Sequence, residues 1–199
     1  MRPPAVLAAV PSLLSAVRPE ARAEPDRRES AWIRDAQRGS TAALEHLFRS
    51  HWPRAYRTAL LVVGDAGAAE DIAQESFLAA VRALDRFDRR RPFGPWLHRI
   101  VVNRGIDWAR ARALRRELGA DDAPEPAAPE REPSAHGRAL AAALAELGPE
   151  HRAVIVLRYL LDYTPGEIAE LLELPRGTVN SRLRRGLDRL EAVLQDEGE

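Results

Sequence analysis

The chain of 199 residues contains no cysteine, and aromatic residues make up only 6% of it. The absence of cysteine excludes a disulfide framework, a thiolate metal site and a cysteine nucleophile, and fits a reducing cytoplasm. Lysine is absent as well, so all 30 basic residues are arginine, and they balance 30 acidic residues to a formal net charge of zero. A net charge of zero argues against a nucleic-acid partner, but local clusters of arginine matter more than the net charge.

The remaining composition predicts a helical protein. Hydrophobic residues make up 45% of the chain and charged residues 30%, which allows one or two modest cores. Alanine, leucine, arginine and glutamate dominate, while isoleucine and threonine are sparse. This balance favours an all-α fold with essentially no sheet.

An apolar stretch, residues 6–17, lies near the start of the chain. It resembles the core of a secretory signal, but Pro11 interrupts it, and it is too short to span a bilayer. We therefore expect residues 1–29 to be a disordered extension or sequence upstream of the true start. An amphipathic membrane anchor is the alternative.

The helical patterns form two modules separated by a segment of different composition. Residues 30–118 are predicted to be helices broken at Gly39-Ser40, at Gly64-Asp65 and over residues 91–95. Residues 119–137 are rich in proline, alanine and acidic residues and lack an apolar period, which predicts a flexible linker. At about 3.3 Å per residue this linker reaches roughly 60 Å, beyond one DNA turn of roughly 34 Å. Residues 138–195 resume as helices, so two tethered modules could contact one duplex at separate places.

The second module carries a pattern typical of a helix-turn-helix. Thr164 and Glu167 have the spacing of a capping box, and Pro165 occupies the first helical position, so a helix begins there. Leu174-Pro175 interrupts it, and a second helix follows with its own apolar stripe. The other face of this second helix carries groups suited to phosphates and base edges in a major groove: Arg176, Asn180, Ser181, Arg182, Arg184, Arg185 and Arg189. The alternative is a solvated basic face without a partner.

The first module offers two more candidate surfaces. The helix around residues 68–78 places Asp71, Gln74 and Glu75 opposite its apolar side, although a solvated face would look the same. The helix that starts near Trp96 has aromatic, amide and arginine groups on its polar side, a combination that can stack on and hydrogen-bond to unpaired bases. Trp96 itself is more typical of core, as are Phe77 and Phe87.

Three motifs in this order resemble the extracytoplasmic-function group of the sigma-70 family, over about residues 30 to 195. They are Glu70-Asp71-x-x-Gln74-Glu75-x-Phe77, then Phe93-x-x-Trp96-Leu97-x-Arg99-Ile100-x-x-Asn103-x-x-Ile106-Asp107, and finally Gly177-Thr178-Val179-x-Ser181-Arg182. The resemblance implies a dissociable, non-catalytic subunit of bacterial RNA polymerase. Residues 30–118 would be sigma region 2, which recognises and opens the promoter −10 element, and residues 138–195 would be region 4, which binds the −35 element.

The resemblance also implies a role for particular residues. Asp71, Gln74 and Glu75 would dock on the clamp helices of the largest polymerase subunit. The −10 contacts would be Phe93, Trp96, His98, Arg99, Asn103 and Arg104, with phosphate contacts from Arg110, Arg112, Arg115 and Arg116. The −35 contacts would be Arg176, Thr178, Asn180, Ser181, Arg182, Arg184 and Arg185. Core polymerase, promoter DNA and an anti-sigma factor are the implied partners, and no cofactor, metal or small-molecule substrate is expected.

The chain departs from the family pattern at a few positions. Glu173 stands where the turn usually has glycine, so it must adopt a positive φ or the turn differs in shape. Asn180 replaces a common basic residue, and because an amide prefers adenine, the −35 preference should be unusual. Pro95 should stiffen the promoter-opening loop, and His98 replaces a common tyrosine; either change could alter which −10 base is captured.

Other functional classes fit the sequence less well. The five histidines lack ligand spacing, and neither a glycine-rich phosphate loop nor a nucleophile-base motif occurs, which disfavours an enzyme. A repressor or response-regulator output domain is a stronger rival because its C-terminal helix-turn-helix would look similar, but the first module lacks phosphoacceptor and ligand-pocket patterns. A decoy that binds polymerase without DNA is disfavoured by the basic helix. We expect a cytoplasmic, nucleoid-associated protein, tethered to a membrane only through an anti-sigma factor.

Overall fold

The computed structural model describes residues 27–119, here called the N-terminal module, and residues 142–196, called the C-terminal module. The helices in these ranges include α1 (Arg27–Ala36), α2 (Thr41–Val63), α3 (Ala66–Ala83), α4 (Phe93–Glu117), α5 (Pro149–Ile155), α6 (Pro165–Leu172) and α7 (Arg176–Asp196). A 3₁₀ turn, Leu84–Arg86, follows α3, and α5 continues as a π-helical segment, Val156–Leu160. Within the two ranges there is no strand, which confirms the all-α expectation.

Two predicted segments fall largely outside the described residues. Residues 1–26 of the expected extension are not described, but residues 27–29 are part of α1 and not of an extension. Residues 120–137 of the predicted linker also lie outside the described ranges. Across 27–119 and 142–196, none of the helices combines the length and the apolar character needed to cross a bilayer.

The N-terminal module is a bundle in which α2 packs against α1, α3 and α4. Local signals define its helices, since Ser40 accepts a hydrogen bond from the backbone N–H of Ala43 and Asp65 accepts one from Ala68. Gly64 ends α2 with φ 73°, a left-handed conformation that favours glycine. The predicted breaks at Gly39 and Gly64 are therefore confirmed.

The predicted break over residues 91–95 is wrong in its second half. Helix α4 begins at Phe93, so Gly94 and Pro95 belong to its first turn and not to a loop. A proline is tolerated there because the first N–H groups of a helix have no intrahelical partner. Pro95 therefore does not stiffen a promoter-opening loop; it helps to start α4.

Aromatic side chains close the end of this bundle. Phe77 and Phe87 are buried, as predicted. Trp96 is half-buried, and its ring centroid lies 4.6 Å from that of Phe87 and 5.5 Å from that of Phe93. The core interpretation of Trp96 thus fits the packing, with one edge left at the surface.

In the C-terminal module, α6 and α7 form the predicted helix-turn-helix. Thr164 and Glu167 make both hydrogen bonds of a capping box at the start of α6. Glu173 ends α6 with φ 54°, so the non-glycine residue does adopt the left-handed conformation. Helix α7 packs closely on α5 at Gly186, where a Cβ would lie 3.1 Å from Cγ1 of Ile155.

Candidate functional site

The basic face of α7 is open to solvent. Arg176, Asn180, Arg184 and Arg185 are exposed, while Thr178, Ser181 and Arg182 are half-buried. Val179 and Leu183 on the opposite side are buried and fix the rotation of the helix. Among the described residues Arg176, Arg184 and Arg185 form no ion pair with a carboxylate, whereas the charge of Arg182 acts on Glu150. Arg189 differs, since it contacts Glu146 of the same module at 3.2 Å.

The acidic-amide patch of α3 is also exposed, as predicted from the helical period. Asp71, Gln74 and Glu75 point away from the core that Ile72 and Ser76 enter. Glu75 forms an ion pair with Arg104 of α4. One residue predicted for polymerase and one predicted for DNA therefore lie side by side on adjacent helices.

An apolar groove runs beside this patch. It has a volume of about 420 Å³ and lies between α2 and α3, with Gln74 at its edge. Phe48, Leu78 and Val81 line it and are 40%, 55% and 45% exposed. A cluster of large apolar side chains at the surface is a feature that interaction sites and ligand grooves share.

The candidate residues of α4 fall into two groups. Asn103 is exposed, and Trp96, Arg99 and Arg104 are half-buried. Phe93 and His98 are each only 3% exposed, so neither can touch a base in this arrangement. Packing is the reason: Phe93 joins the aromatic cluster, and His98 faces the C-terminal module.

The four arginines predicted to contact phosphates also differ from one another. Arg110, Arg115 and Arg116 are exposed, but Arg112 is buried. Arg112 donates to Asp65 at 2.9 Å, and its guanidinium lies 5.1 Å from the ring centroid of Trp108. Because Asp65 also caps α3, Arg112 joins α4 to the start of α3, and the prediction of a phosphate contact does not fit its position.

The two modules contact each other through polar groups on α4. Nδ1 of His98 and the hydroxyl oxygen of Tyr163 lie 2.9 Å apart in a buried hydrogen bond. Arg99 contacts Glu173 at 2.5 Å, and Nε of Arg110 donates to Glu150 at 2.7 Å. Two arginines predicted for DNA are thus paired with carboxylates of the C-terminal module.

Arg152 forms the most buried polar link between the modules. One guanidinium nitrogen donates to the carbonyl oxygen of Val62, at the end of α2, at 3.0 Å. The other donates to the carbonyl oxygens of Ala145 and Leu147 at 2.8 and 3.1 Å. Burial lowers the pKa of Arg152, and the negative end of the α2 dipole favours its charged form.

Glu150 lies among several positive charges. Burial alone would raise the pKa of Glu150, but a hydrogen bond from Arg110, a backbone hydrogen bond, and the charges of Arg110 and Arg182 together hold it below its ordinary value of 4.5. Glu150 therefore faces an arginine of α4 and an arginine of α7 at the same time, and it is ionised at neutral pH.

Sequence reasoning did not find Glu150, Arg152 or Tyr163. One signal was present for Arg152, which lies one residue before the apolar run 153–157 and on a helix that is buried almost throughout. Glu150 and Tyr163 carried no comparable signal, because their partners are distant in the sequence.

Comparisons with known proteins agree with this architecture. The Sigma-70 region 2 family matches residues 47–115, and the Sigma-70 region 4 family matches residues 137–190. The extracytoplasmic-function sigma factor SigL of Mycobacterium tuberculosis is 35% identical over 173 residues, which cover 84% of this chain and 98% of SigL. SigW of Bacillus subtilis is 31% identical over 181 residues, covering 82% and 95% of the two chains.

Solved structures show the same fold. CnrH, solved in complex with the cytosolic domain of CnrY, has a TM-score of 0.63 and 29% identity, covering 85% of this chain and 98% of CnrH. The sigma factor RpoE of Bartonella quintana, solved with the anti-sigma factor NepR, has a TM-score of 0.62 and 22% identity over 76% of this chain and 96% of RpoE. At that identity the second likeness concerns the fold alone.

Proposed function

The chain belongs to the extracytoplasmic-function group of the sigma-70 family, and we propose from this premise a role for each exposed surface. As a family member, it binds bacterial core RNA polymerase and directs promoter-specific initiation. The proposal assigns polymerase binding and promoter recognition to particular residues. It also includes the expectation that the chain supplies specificity and no catalysis, and that it acts in the cytoplasm at the nucleoid.

The polymerase-binding surface is Asp71, Gln74 and Glu75 together with the neighbouring groove. An exposed acidic-amide patch beside exposed apolar side chains has the mixture of a polar rim and an apolar centre that protein interfaces use. The position of Gln74 at the edge of the groove makes the two features one continuous surface.

The −35 element is bound by α7, and this assignment rests on the exposed polar and basic groups Arg176, Asn180, Arg184 and Arg185. Exposed arginines on one side of a helix, within a helix-turn-helix, fit a major groove and its phosphates. The amide of Asn180 suits adenine and the guanidinium of Arg182 suits guanine. Arg176, Arg184 and Arg185 add phosphate contacts or base contacts along the same face.

The −10 element is bound by α4, through Arg99, Asn103 and Arg104, with Trp96 at the edge. Arg99, Asn103 and Arg110 share one side of the helix, since positions 99, 103 and 110 lie within about 40° of one another at 3.6 residues per turn. Arg115 and Arg116 are also exposed, but the helical period places them on other sides of α4. Phe93, His98 and Arg112 are buried and are left out of the contacts.

An anti-sigma factor is a proposed partner. CnrH is 29% identical and was solved with the cytosolic domain of CnrY, so a related chain is known to take a protein partner. Titration of a candidate anti-sigma factor into a transcription assay should abolish the transcripts that depend on this protein, and an unchanged signal would remove that candidate.

Run-off transcription tests the assignment of function to residues. Core polymerase, with and without the protein, is given a library of bacterial genomic fragments, and transcript starts are sequenced. New starts that share two spaced upstream elements are expected.

The Arg182→Ala variant tests the −35 contacts. The increase in transcription that the upstream element provides should fall about 10- to 100-fold, while binding to core polymerase stays intact. Arg189→Ala is the matched control, because Arg189 is on the same helix but pairs with Glu146.

The polymerase surface is tested by charge reversal. Asp71→Arg with Glu75→Arg should abolish co-purification with core polymerase, whereas Asp85→Arg, which changes another exposed acid near the end of α3, should not. Survival of polymerase binding in the double variant would disprove this docking surface. Polymerase binding without new starts would favour a decoy, and the absence of both would favour a repressor.

A further inference from the structure

The apolar groove between α2 and α3 suits an uncharged occupant. Its lining is apolar except for Glu45 and Gln74. The carboxylate of Glu45 pairs with Arg49 at 2.6 Å, and the amide of Gln74 donates to the carboxylate of Glu70 at 3.2 Å, each within its own helix. Both polar groups at the rim thus have a partner already, and the groove favours apolar side chains over an ion or a nucleic acid.

The groove is large enough for several side chains. Phe48, Leu78 and Val81 line it and are 40%, 55% and 45% exposed. An apolar cavity of about 150 Å³ holds one benzene-sized group, so the groove volume of about 420 Å³ holds roughly three. The occupant should therefore present about three apolar side chains close together.

One apolar stretch of this chain has no role in the proposed function. Residues 3–17 contain no charged side chain, although charged residues make up 30% of the chain. Leu13 and Leu14 are adjacent in this stretch, and Val10 and Val17 lie three residues before and after them. The stretch therefore has side chains of the kind and number that the groove can hold.

The described part of the chain begins close to the groove. Helix α1 starts at Arg27, and the carboxylate of Glu29 lies 3.3 Å from Nε2 of His51 on α2. The ring centroid of His51 is 5.0 Å from that of Phe93, which lines the groove. The apolar stretch is separated from α1 by residues 18–26, which reach roughly 30 Å at about 3.3 Å per residue. This reach is ample for the two side-chain contacts that lie between Glu29 and the groove.

We propose that Leu13 and Leu14, with the valines on either side, dock in the groove between α2 and α3 of the same molecule. A short connection that spans the distance gives an effective concentration on the order of millimolar, so even a weak apolar contact is populated. A second copy of the chain would have to reach a similar concentration in solution to compete.

The docked segment would lie beside Gln74, where the groove meets the proposed polymerase surface. Core polymerase must then displace the segment before it can bind, and this consequence rests on the proposed function of that surface. The N-terminal stretch thereby sets the affinity of the free protein for polymerase.

Cross-linking tests the docking in the full chain. Because the chain has no cysteine, Ser15→Cys with Arg82→Cys places one thiol beside the two leucines and one at an exposed position of α3 beside the groove, without background. A short bismaleimide should join the two thiols within one molecule. Leu13→Ser/Leu14→Ser in the same chain should reduce the yield about tenfold, because two buried leucines supply most of the apolar contact.

Two controls are matched to these variants. Ala21→Ser/Ala23→Ser introduces the same two serines outside the apolar stretch and should leave the yield unchanged. Asp107→Cys, combined with Ser15→Cys, places the second thiol at an exposed position roughly 21 Å along α4 from Phe93, and this pair should give little cross-link.

The affinity for core polymerase tests the competition. Apparent affinity falls with the fraction of molecules whose surface is free, so a segment docked about four-fifths of the time weakens binding about fivefold. Leu13→Ser/Leu14→Ser should therefore bind core polymerase about fivefold more tightly than the wild type, while Ala21→Ser/Ala23→Ser should bind like the wild type.

The outcomes separate the docking from the function on which its consequence rests. Equal yields for the Arg82→Cys and Asp107→Cys pairs would overturn the docking, and so would cross-linked dimers in place of monomers, which would assign the groove to a second copy. A specific cross-link within one molecule, together with unchanged polymerase affinity in Leu13→Ser/Leu14→Ser, would support the docking and overturn the place of the groove in the polymerase surface.

Discussion

Replacing Arg152 with methionine should uncouple the unfolding of the two modules. Its guanidinium donates three hydrogen bonds to carbonyl oxygens, at 3.0 Å to Val62 and at 2.8 and 3.1 Å to Ala145 and Leu147. Only the hydrogen bond to Val62 joins the two modules. The bonds to Ala145 and Leu147 orient the guanidinium so that it can reach Val62. Methionine keeps much of the apolar stem and removes all three donors.

The expected loss can be bounded from these contacts. A hydrogen bond that involves a charged group makes a net contribution of about 1.5–3 kcal/mol, and the three bonds of one guanidinium are not independent, so their contributions do not simply add. Arg152 is only 9% exposed, and replacing a buried charge by an apolar side chain also removes its desolvation cost, which limits the loss. We expect the free energy of unfolding to fall by about 2–4 kcal/mol, with most of the loss on the C-terminal module.

The assay uses the uneven distribution of tryptophan. All four tryptophans precede residue 119, so their fluorescence follows the N-terminal module, while far-ultraviolet circular dichroism follows helices of both modules. In a urea titration the two signals should coincide for the wild type and separate for Arg152→Met. Arg158→Met is the control, because Arg158 donates one hydrogen bond, to the carbonyl of Tyr163, inside the C-terminal module.

Coincident signals in Arg152→Met, with a loss below about 1 kcal/mol, would refute the reasoning, since a broken buried link should cost more. Separate signals in the wild type would refute it as well. The C-terminal module of Arg152→Met could already be unfolded without urea. In that case the helical dichroism is lower than in the wild type, while tryptophan fluorescence still shows the unfolding of the N-terminal module, so the two modules are again seen to unfold separately.

Three further predictions concern single positions. Thr164→Ala removes the capping box of α6 and should lower the free energy of unfolding by about 1 kcal/mol in urea, whereas Thr164→Ser should restore most of it. Gly105→Ala would place a Cβ 2.9 Å from Cγ1 of buried Val62 and should cost about 1–3 kcal/mol, a loss that Val62→Ala in the same chain should reduce. Glu150 has a lowered pKa in the folded protein, so its stabilising contribution is present above pH 4.5 and is lost as the pH falls through the folded value. The difference in stability between wild type and Glu150→Gln should therefore be largest near neutral pH and shrink in acid; a difference that is independent of pH would contradict the assignment.

Local signals were sufficient to predict the helices. The capping box at Thr164, the glycine end of α2 at Gly64 and the periodic apolar faces each depend on residues within a few positions of one another. Such interactions can be read from sequence because the helix itself brings the partners together. The failed detail, the start of α4 at Phe93, also has a local cause, since proline is compatible with both a loop and a first helical turn.

Burial of polar residues could not be predicted in the same way. The helical period predicted a polar side of α4 with aromatic, amide and arginine groups, but a period alone does not tell which polar residues face solvent. His98 and Arg112 are buried by Tyr163 and Asp65, which lie far away in the sequence, and no periodicity reports such contacts. Glu173 lies between the two cases: its left-handed conformation was one of two predicted possibilities, while its ion pair with Arg99 could be found only from the fold.

The unequal pairing of arginines has a consequence for the order of promoter recognition. Arg184 and Arg185 of α7 are exposed in the same arrangement in which Arg99 and Arg110 of α4 are paired, so these two arginines can meet duplex DNA without a change in the domain arrangement. Arg99 must first lose Glu173, and Arg110 must lose Glu150, before a strand can take their place. On the proposed roles of α4 and α7, recognition of the duplex −35 element should come before capture of the −10 strand, and removing the carboxylate of Glu173, which pairs with Arg99, should speed strand capture. Glu150 also acts on Arg182 of α7, so its removal should change duplex binding as well.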